Sequence, residues 1–439
     1  MPHKIVIQIT DKTPEHPDSL FTEASSGFTE RRINGLDGGR GIEVGSLMCT
    51  SRAFLVTLMG LFVASTAAAG PRDSALRMHD RLVGVPPDAQ TLDTMEGFIA
   101  GGFPLDAADY AMQNPVFYNS TLKTWITPWT NEAMTVFAPL NDYTATVIGI
   151  IRDERPFTEV LTGDDIYIGA GGQNANGVVP AAYSPTNNDH YEQLESNGID
   201  LSNTNDFVPF PQESLPGSMV TASEAAGVIT TRAAAEAFFS AGTNRAMFRF
   251  TAINYLCVDM EELSDTSRPN DRIRQDVSRS PGGDSQIFLN TCSGCHSGMD
   301  PMSGAYAYFE WDDAQQRMIH TRGDVQLKNL INGNNFPFGY VTVDNRWDNY
   351  WREGQNAIFG WDDTLPSGGY GVKSMGAEIA NSRGFARCQV QKVFRQVCLR
   401  DPADEFERNQ VESIATSFED FGYNLKDVFG QVAAYCMDD

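Results

Sequence analysis

The chain has 439 residues and a mass of 48.2 kDa, which indicates roughly two or three domains and excludes a single small module. Hydrophobic residues make up 41% and charged residues 20% of the chain, so global disorder is excluded. The 57 acidic and 32 basic residues give a formal net charge of −25. Such an acidic chain is a poor candidate for binding nucleic acid or anionic lipid, and any protein partner is expected to be basic.

The first predicted element is a secretory signal. An apolar run over residues 53–63 follows Arg52 and precedes the small residues 67–70, which is the order of the three parts of a signal peptide. A signal peptide is expected near the first residue of a protein, whereas this run begins about fifty residues into the chain. We therefore expect the true start at Met48 and interpret residues 1–47 as a mis-assigned start or an unusual leader.

Residues 1–69 are therefore predicted to be a leader and signal peptide, and the mature protein is expected to be exported to the periplasm or the extracellular space. The alternative is an uncleaved membrane anchor, for which the apolar run is short against the ~20 residues that a membrane span needs. After cleavage, no membrane span is expected. An oxidising compartment permits disulfides and the attachment of haem outside the cytoplasm.

The chain after the signal is predicted to be mainly helical. Helices are expected in the apolar stretch 131–151 and in the Ala-, Phe- and Met-rich stretch 222–256, with a break at Gly242. Three further stretches are rich in Gly, Asn, Asp, Pro or Ser and predict irregular structure. They are the long insertion 170–220, the polar linker 263–284 and residues 325–370.

The C-terminal third has the clearest periodicity. Apolar residues at spacings i, i+3, i+4 and i+7 predict three amphipathic helices, and their short connections predict an antiparallel three-helix bundle. Gly422 is expected to end the second helix. The three apolar faces are Val390, Val393, Phe394, Val397 and Cys398; Val411, Ile414, Ala415 and Phe418; and Leu425, Val428, Phe429, Val432 and Cys436.

One short motif predicts a specific chemistry. Residues 292–296 are Cys-Ser-Gly-Cys-His, the C-x-x-C-H pattern of covalent c-type haem attachment. Two thiols at this spacing can form thioethers with both vinyl groups of one porphyrin, and the adjacent histidine then supplies the proximal nitrogen to the iron. Cys292 and Cys295 are therefore the predicted attachment residues, His296 the predicted iron ligand, and one haem c the predicted cofactor.

Two other chemistries use a C-x-x-C pair. A thioredoxin-like redox site lies between a strand and the start of a helix, whereas no parallel-strand pattern precedes this motif and residues 297–304 are not expected to form a good helix. A structural zinc site needs a second pair of ligands at matching spacing, and the sequence has no second C-x-x-C. Both alternatives are therefore weaker than haem.

The distal iron ligand is left open by the sequence. The proximal and distal ligands bind opposite faces of the haem. The three residues from His296 to Met299 span at most ~11 Å, which is too short to pass around the haem edge, and Met302 is marginal for the same reason. Met375 follows a Gly-rich loop and precedes a helix, where it serves either as distal ligand or as core packing. The remaining candidates are Met318 and His320, and a five-coordinate haem is the further alternative.

Four other cysteines remain after the signal is removed, an even number in an exported chain. Cys388 and Cys398 lie on one predicted helix about 15 Å apart, which is beyond the ~7 Å that a disulfide spans between Cα atoms. In an up-down-up arrangement of the three helices, Cys398 and Cys436 end at the same pole. We therefore predict the pairs Cys398–Cys436 and Cys257–Cys388, with four buried free thiols as the alternative.

The chain resembles the exported cytochrome-c-like proteins that are abundant in planctomycetes and myxobacteria. Residues 155–168, with 227–230 further on, resemble the module that precedes the haem. Residues 292–304 and the following Phe309-Glu310 resemble the haem segment, in which Asp-Pro and a Gly follow the haem histidine. Residues 379–388, with Phe394 and Arg400 beyond them, resemble the C-terminal helical module. The sequence at 308–311 departs from the family's Glu-x-Phe-Asp.

The resemblance implies a mainly α fold with a single covalent haem, and it weakens Met375 as a ligand because that family position is usually just apolar. The predicted domains are an N-terminal helical domain over 70–262, a haem-binding segment over 263–365 and a C-terminal helical module over 366–439. The family's biochemical role is itself poorly defined, so the resemblance does not indicate a substrate.

The sequence leaves three functions open. The first is an exported monohaem carrier that transfers electrons to a periplasmic redox protein with a basic docking face. The second is a haem oxidoreductase, either peroxidase-like or a dehydrogenase with haem as acceptor. The third is a binding protein in which the haem is structural. Whether the protein is an enzyme is thus undecided, and electron transfer is the function that we expect.

Overall fold

Short helices form most of the regular structure, as the sequence predicts. The computed structural model describes residues 70–171, 177–239 and 242–438, so the predicted leader and signal peptide at 1–69 lie outside the described residues. The described residues form one compact unit, and the domain boundaries within it stay predictions of the sequence. Within the described residues, no helix combines the length and the apolar character that crossing a membrane requires.

The helices of the first half are short and closely spaced. In chain order they are α1 (Pro71–Val83), α2 (Ala89–Ala100), α3 (Pro104–Met112), α4 (Lys123–Ile126), α5 (Asp142–Arg152), α6 (Glu159–Thr162), α7 (Asp189–Ser196), α8 (Arg232–Phe238) and α9 (Arg245–Leu256).

The second half contains the C-x-x-C-H motif and the longest helices. They are α10 (Ser285–Ile287), α11 (Ser293–Ser303), α12 (Val372–Ala380), α13 (Arg383–Cys398), α14 (Glu405–Asp420) and α15 (Leu425–Cys436). The strands form three antiparallel two-stranded sheets. Their strands are β1 (Asp165–Gly169) with β2 (Phe207–Pro211), β3 (Phe309–Asp312) with β4 (Arg317–His320), and β5 (Arg346–Asp348) with β6 (Gly368–Tyr370).

Helix α5 is the central helix of the first half, and all its residues are buried. The apolar stretch 131–151 is helical only from Asp142, because the side chain of Asn141 accepts a hydrogen bond from the backbone N–H of Thr144 and caps the helix there. On one side α5 packs against β1, where the ring of Tyr167 lies over Gly149.

The insertion 170–220 is more ordered than the sequence predicts. It contains α7, and its strand β2 pairs with β1 so that Tyr167 lies opposite Pro209. The prediction of a wholly irregular loop was wrong here because tertiary pairing with β1, rather than local propensity, forms the strand. Helices α8 and α9 flank the predicted break at Gly242.

The three C-terminal helices lie where the periodicity predicts them. Every residue of the three predicted apolar faces is buried, and α13 packs against both α14 and α15. Gly422 follows α14 with a φ of 78°, and the N–H of Tyr423 bonds to the carbonyl of Phe418. This Schellman motif is the physical reason that glycine ends the helix. Helix α15 also packs against α1 and α3.

Two disulfides cross-link this helical core. Cys257, at the end of α9, bonds to Cys388 in α13 with their Cα atoms 5.3 Å apart. Cys398 and Cys436, at the ends of α13 and α15, are bonded with a Cα separation of 5.6 Å. The structure therefore contains both pairings that the sequence predicts.

Removing either disulfide is expected to destabilise the protein, and the longer loop is expected to matter more. By loop-closure entropy, a cross-link over 131 residues contributes about 5 kcal/mol and one over 38 residues about 4 kcal/mol. We expect the double variant Cys257→Ala/Cys388→Ala to lose more free energy of unfolding in urea than Cys398→Ala/Cys436→Ala. An unchanged unfolding midpoint in both variants would mean that the four thiols are free.

Candidate haem-attachment site

The C-x-x-C-H motif lies inside a continuous helical segment. Asp284 caps α10, residues Phe288–Cys292 form a single wide π-helical turn, and α11 follows directly. The expectation that residues 297–304 form no good helix was wrong, since α11 runs to Ser303 with Pro301 inside it. Wide turns of this kind occur frequently at functional sites.

Glycines on the back of α11 explain why this helix forms against its local propensity. A Cβ on Gly294 would overlap Ser264, one on Gly298 would overlap the indole of Trp351, and one on Gly304 would overlap the carbonyl of Arg346. The missing side chains let the helix approach its neighbours closely. Burial of Trp351 against the helix then offsets the poor helix propensity of glycine.

The two cysteines and the histidine are three and four positions apart and therefore share one partly exposed side of this segment. Cys292 and Cys295 are half-buried free thiols, and the side chain of His296 is 22% exposed. Ile287 and Leu289, each 46% exposed, precede the motif. The surface next to the motif in sequence therefore contains exposed apolar side chains as well as the two thiols.

The environment of Cys295 disfavours a reactive thiolate. Its Sγ donates a hydrogen bond to the carbonyl of Met260 at 3.3 Å. Burial raises the pKa of the thiol, and the nearby charges of Glu261 and Asp259 raise it further against a hydrogen bond from Ser264. A thioredoxin-like cysteine requires the reverse, a lowered pKa, so this geometry does not favour the disulfide-exchange alternative.

A hydrogen bond at one of its two nitrogens holds the ring of His296. Its Nδ1 lies 3.1 Å from Oδ1 of Asp300, four residues further along α11. Because a carboxylate only accepts hydrogen bonds, Nδ1 is the atom that bears the proton and donates it. Nε2 of His296 has no hydrogen-bond partner within the described part of the chain. The lone pair that an iron ligand needs is therefore on Nε2.

Asp300 is buried completely and has several partners. Its carboxylate accepts hydrogen bonds from Nε and Nη2 of Arg245 at 2.6 and 2.8 Å, and from the backbone N–H of Arg274 at 3.1 Å. Arg245 also donates to both oxygens of Asp276 at 2.6 and 3.0 Å. Burial alone would raise the pKa of Asp300, but Arg245 and His296 outweigh burial and hold this pKa well below its usual range. Asp300 is therefore anionic in the folded protein.

The candidate distal ligands lie in other packing environments. Met375 is fully buried in α12, which packs against α6 and α9. Met318 and His320 lie on β4, which packs against α8. His320 is 2% exposed, with Nδ1 3.4 Å from Glu224 and its ring against Phe309. Each of these positions is also explained by packing in its own element, and the distal ligand stays a prediction.

Met299 and Met302 lie on α11 itself and are buried, with 7% and 0% of their surface exposed. Both therefore contribute to packing of the helix that contains His296. In the described residues, no cluster of three or more His, Cys, Asp or Glu side chains is arranged to hold a metal ion by itself.

The sequence did not predict the residues that hold His296, which are Asp300, Arg245 and Asp276. His296 and Asp300 are four positions apart, so a helix at the motif would have predicted their contact. The sequence did not predict that the motif continues as a helix. Arg245 is 55 residues away from Asp300 and Asp276 is 31 residues away from Arg245, so only the tertiary structure brings them together.

Comparison with protein families, with curated proteins and with solved structures found no match for this chain.

The variant Gly298→Ala tests whether α11 depends on close packing. The added Cβ would overlap the Trp351 indole, and forced overpacking costs about 1–3 kcal/mol of stability. Gly97→Ala in α2 is the matched control, since nothing lies within 4 Å of its added Cβ and it should gain up to about 1 kcal/mol. Equal stabilities of the two variants in urea denaturation would contradict the packing account.

Proposed function

We propose that the protein is an exported monohaem c-type cytochrome that transfers electrons. Cys292 and Cys295 form the two thioether bonds and Nε2 of His296 binds the iron. The observation that supports this most is the single helical side that presents two free thiols and a histidine whose Nδ1 is already engaged. A haem bound there supplies one-electron redox chemistry at its iron.

The surrounding fold suits this function. The motif helix packs on α9, and a disulfide joins the end of α9 to α13, so the site is built on cross-linked elements. We assign residues 263–365 as the haem segment and α13, α14 and α15 as a three-helix bundle that supports it. The two disulfides are compatible with export to an oxidising compartment.

The charge beside the motif favours a basic redox partner. Glu261 and Glu262 are exposed, and Glu261 and Asp259 are close enough to influence the Cys295 thiol. The whole chain has a formal charge of −25. Opposite charges on a periplasmic redox protein would steer its approach to the surface around Cys295.

Covalent attachment is tested by cysteine substitution in protein produced with a c-type haem maturation system. We expect wild-type protein to retain one haem after denaturation in detergent, as seen by haem staining of a gel. Cys292→Ser and Cys295→Ser should each weaken or abolish the stain, whereas Cys398→Ser/Cys436→Ser should keep it. Wild-type protein that folds without covalent haem in this system would contradict the proposal.

The presence or absence of a distal side-chain ligand distinguishes electron transfer from the second candidate function, a haem oxidoreductase. One observation favours the second candidate: Met375 is fully buried in α12, so packing of the core explains its position without iron. A protein without a side-chain distal ligand would have an iron site that is open to substrate.

The conservative variant Met375→Leu tests Met375 as the distal ligand, because it preserves the packing volume and removes the sulfur. If Met375 binds the iron, wild-type ferric protein should be low-spin with the long-wavelength band of Met-ligated haem, and Met375→Leu should lose that band while Met318→Leu keeps it. A high-spin wild-type spectrum that shifts on adding cyanide would contradict Met375 ligation and favour the oxidoreductase.

A further inference from the structure

We propose that Asp300 is a positioning residue that orients His296 toward the iron and lowers the reduction potential of the haem. The inference rests on the proposed haem attachment and adds a role for a residue that does not touch the cofactor. Three observations support it: the geometry of the His296–Asp300 contact, the partners that fix Asp300, and the separate position of Asp276.

The hydrogen bond between His296 and Asp300 has only one possible direction, from the imidazole N–H to the carboxylate. The two residues are four positions apart on α11 and therefore lie on the same side of the helix. Nδ1 of His296 lies 3.1 Å from Oδ1 of Asp300, whose side chain is 0% exposed. Water does not reach the carboxylate to compete for this bond. The proton stays on Nδ1, and Nε2 presents its lone pair in a direction that the helix fixes.

The carboxylate of Asp300 is itself held in place. Arg245 donates to both of its oxygens, at 2.6 and 2.8 Å, and the backbone N–H of Arg274 donates to Oδ2 at 3.1 Å. A two-pronged contact from a planar guanidinium fixes the plane of the carboxylate as well as its position. Rotation of Asp300 away from His296 would break these bonds, so the orientation of the imidazole is set by the core of the protein.

A hydrogen bond from Nδ1–H to an anion makes the imidazole a stronger electron donor at Nε2. A stronger donor favours the ferric over the ferrous state, and hydrogen bonding around a haem ligand is one of the means by which a protein tunes the potential. Arg245 opposes this effect by attracting charge from Asp300. Asp276, which contacts Arg245 but not His296 in the described residues, partly neutralises that arginine.

The test compares Asp300→Asn with Asp276→Asn in haem-loaded protein. Asn at 300 keeps the shape but removes the negative charge beside Nδ1. We expect Asp300→Asn to shift the reduction equilibrium at least tenfold toward the ferrous state, which is 59 mV for one electron, in a potentiometric titration. Asp276→Asn removes an equal charge from the same network and should shift the equilibrium less than Asp300→Asn does.

A second readout separates donor strength from general electrostatics. The iron–histidine stretching frequency in resonance Raman spectra of ferrous, ligand-free or photolysed CO-bound protein should fall in Asp300→Asn and stay near the wild-type value in Asp276→Asn. If Asp300→Asn does not fold, Asp300→Glu keeps the charge but displaces the carboxylate, and it should also lower this frequency.

The inference and the proposed function fail in different ways. Wild-type protein without covalent haem would contradict the proposed function. Covalent haem in Asp300→Asn with a wild-type potential and a wild-type iron–histidine frequency would overturn the role of Asp300 alone. Equal shifts in Asp300→Asn and Asp276→Asn would also overturn it, since they would show a general effect of charge rather than a specific effect on His296.

Discussion

The buried ion pair between Asp300 and Arg245 is the interaction on which the site depends. It joins α11, which bears the C-x-x-C-H motif, to the first turn of α9. Both oxygens of Asp300 are used, and no part of its side chain is exposed. Loss of one partner of such a pair leaves an uncompensated buried charge and typically costs about 3–5 kcal/mol. The position of His296 is thereby linked to the stability of the helical core.

The motif helix combines close packing with partial exposure. Gly294 and Gly298 let it approach Ser264 and Trp351 without side chains between them, and these contacts fix the helix against the core. The two thiols and His296 stay partly exposed. A covalent cofactor added after export needs this combination, because the attachment atoms must be accessible while the helix that presents them stays rigid.

Features with a local physical cause could be predicted from the sequence. The faces of α13, α14 and α15 follow the helical period, and a Schellman motif at Gly422 ends α14 where the glycine suggested. The disulfide pairs could also be predicted, because helix geometry excludes Cys388 from pairing with Cys398 and the up-down-up order of the helices brings Cys398 and Cys436 to the same end. The C-x-x-C-H motif itself is a local pattern and needed no tertiary information.

Features that depend on tertiary contacts could not be predicted. Glycines and Pro301 argue against a helix after the motif, and tertiary packing, including that of Gly298 against Trp351, explains why α11 forms. Strand β2 exists because β1 pairs with it. Arg245 reaches Asp300 across 55 residues of sequence, so the residues that hold His296 came from the structure alone.

The measurement that tests the central claim most directly is tandem mass spectrometry of the peptide that contains residues 292–296. The protein would be produced with a haem maturation system and digested after denaturation. The account predicts one haem on this peptide, bonded through the sulfurs of both Cys292 and Cys295. Unmodified thiols, or a disulfide between these two cysteines, would contradict the assignment of the motif as a haem-attachment site.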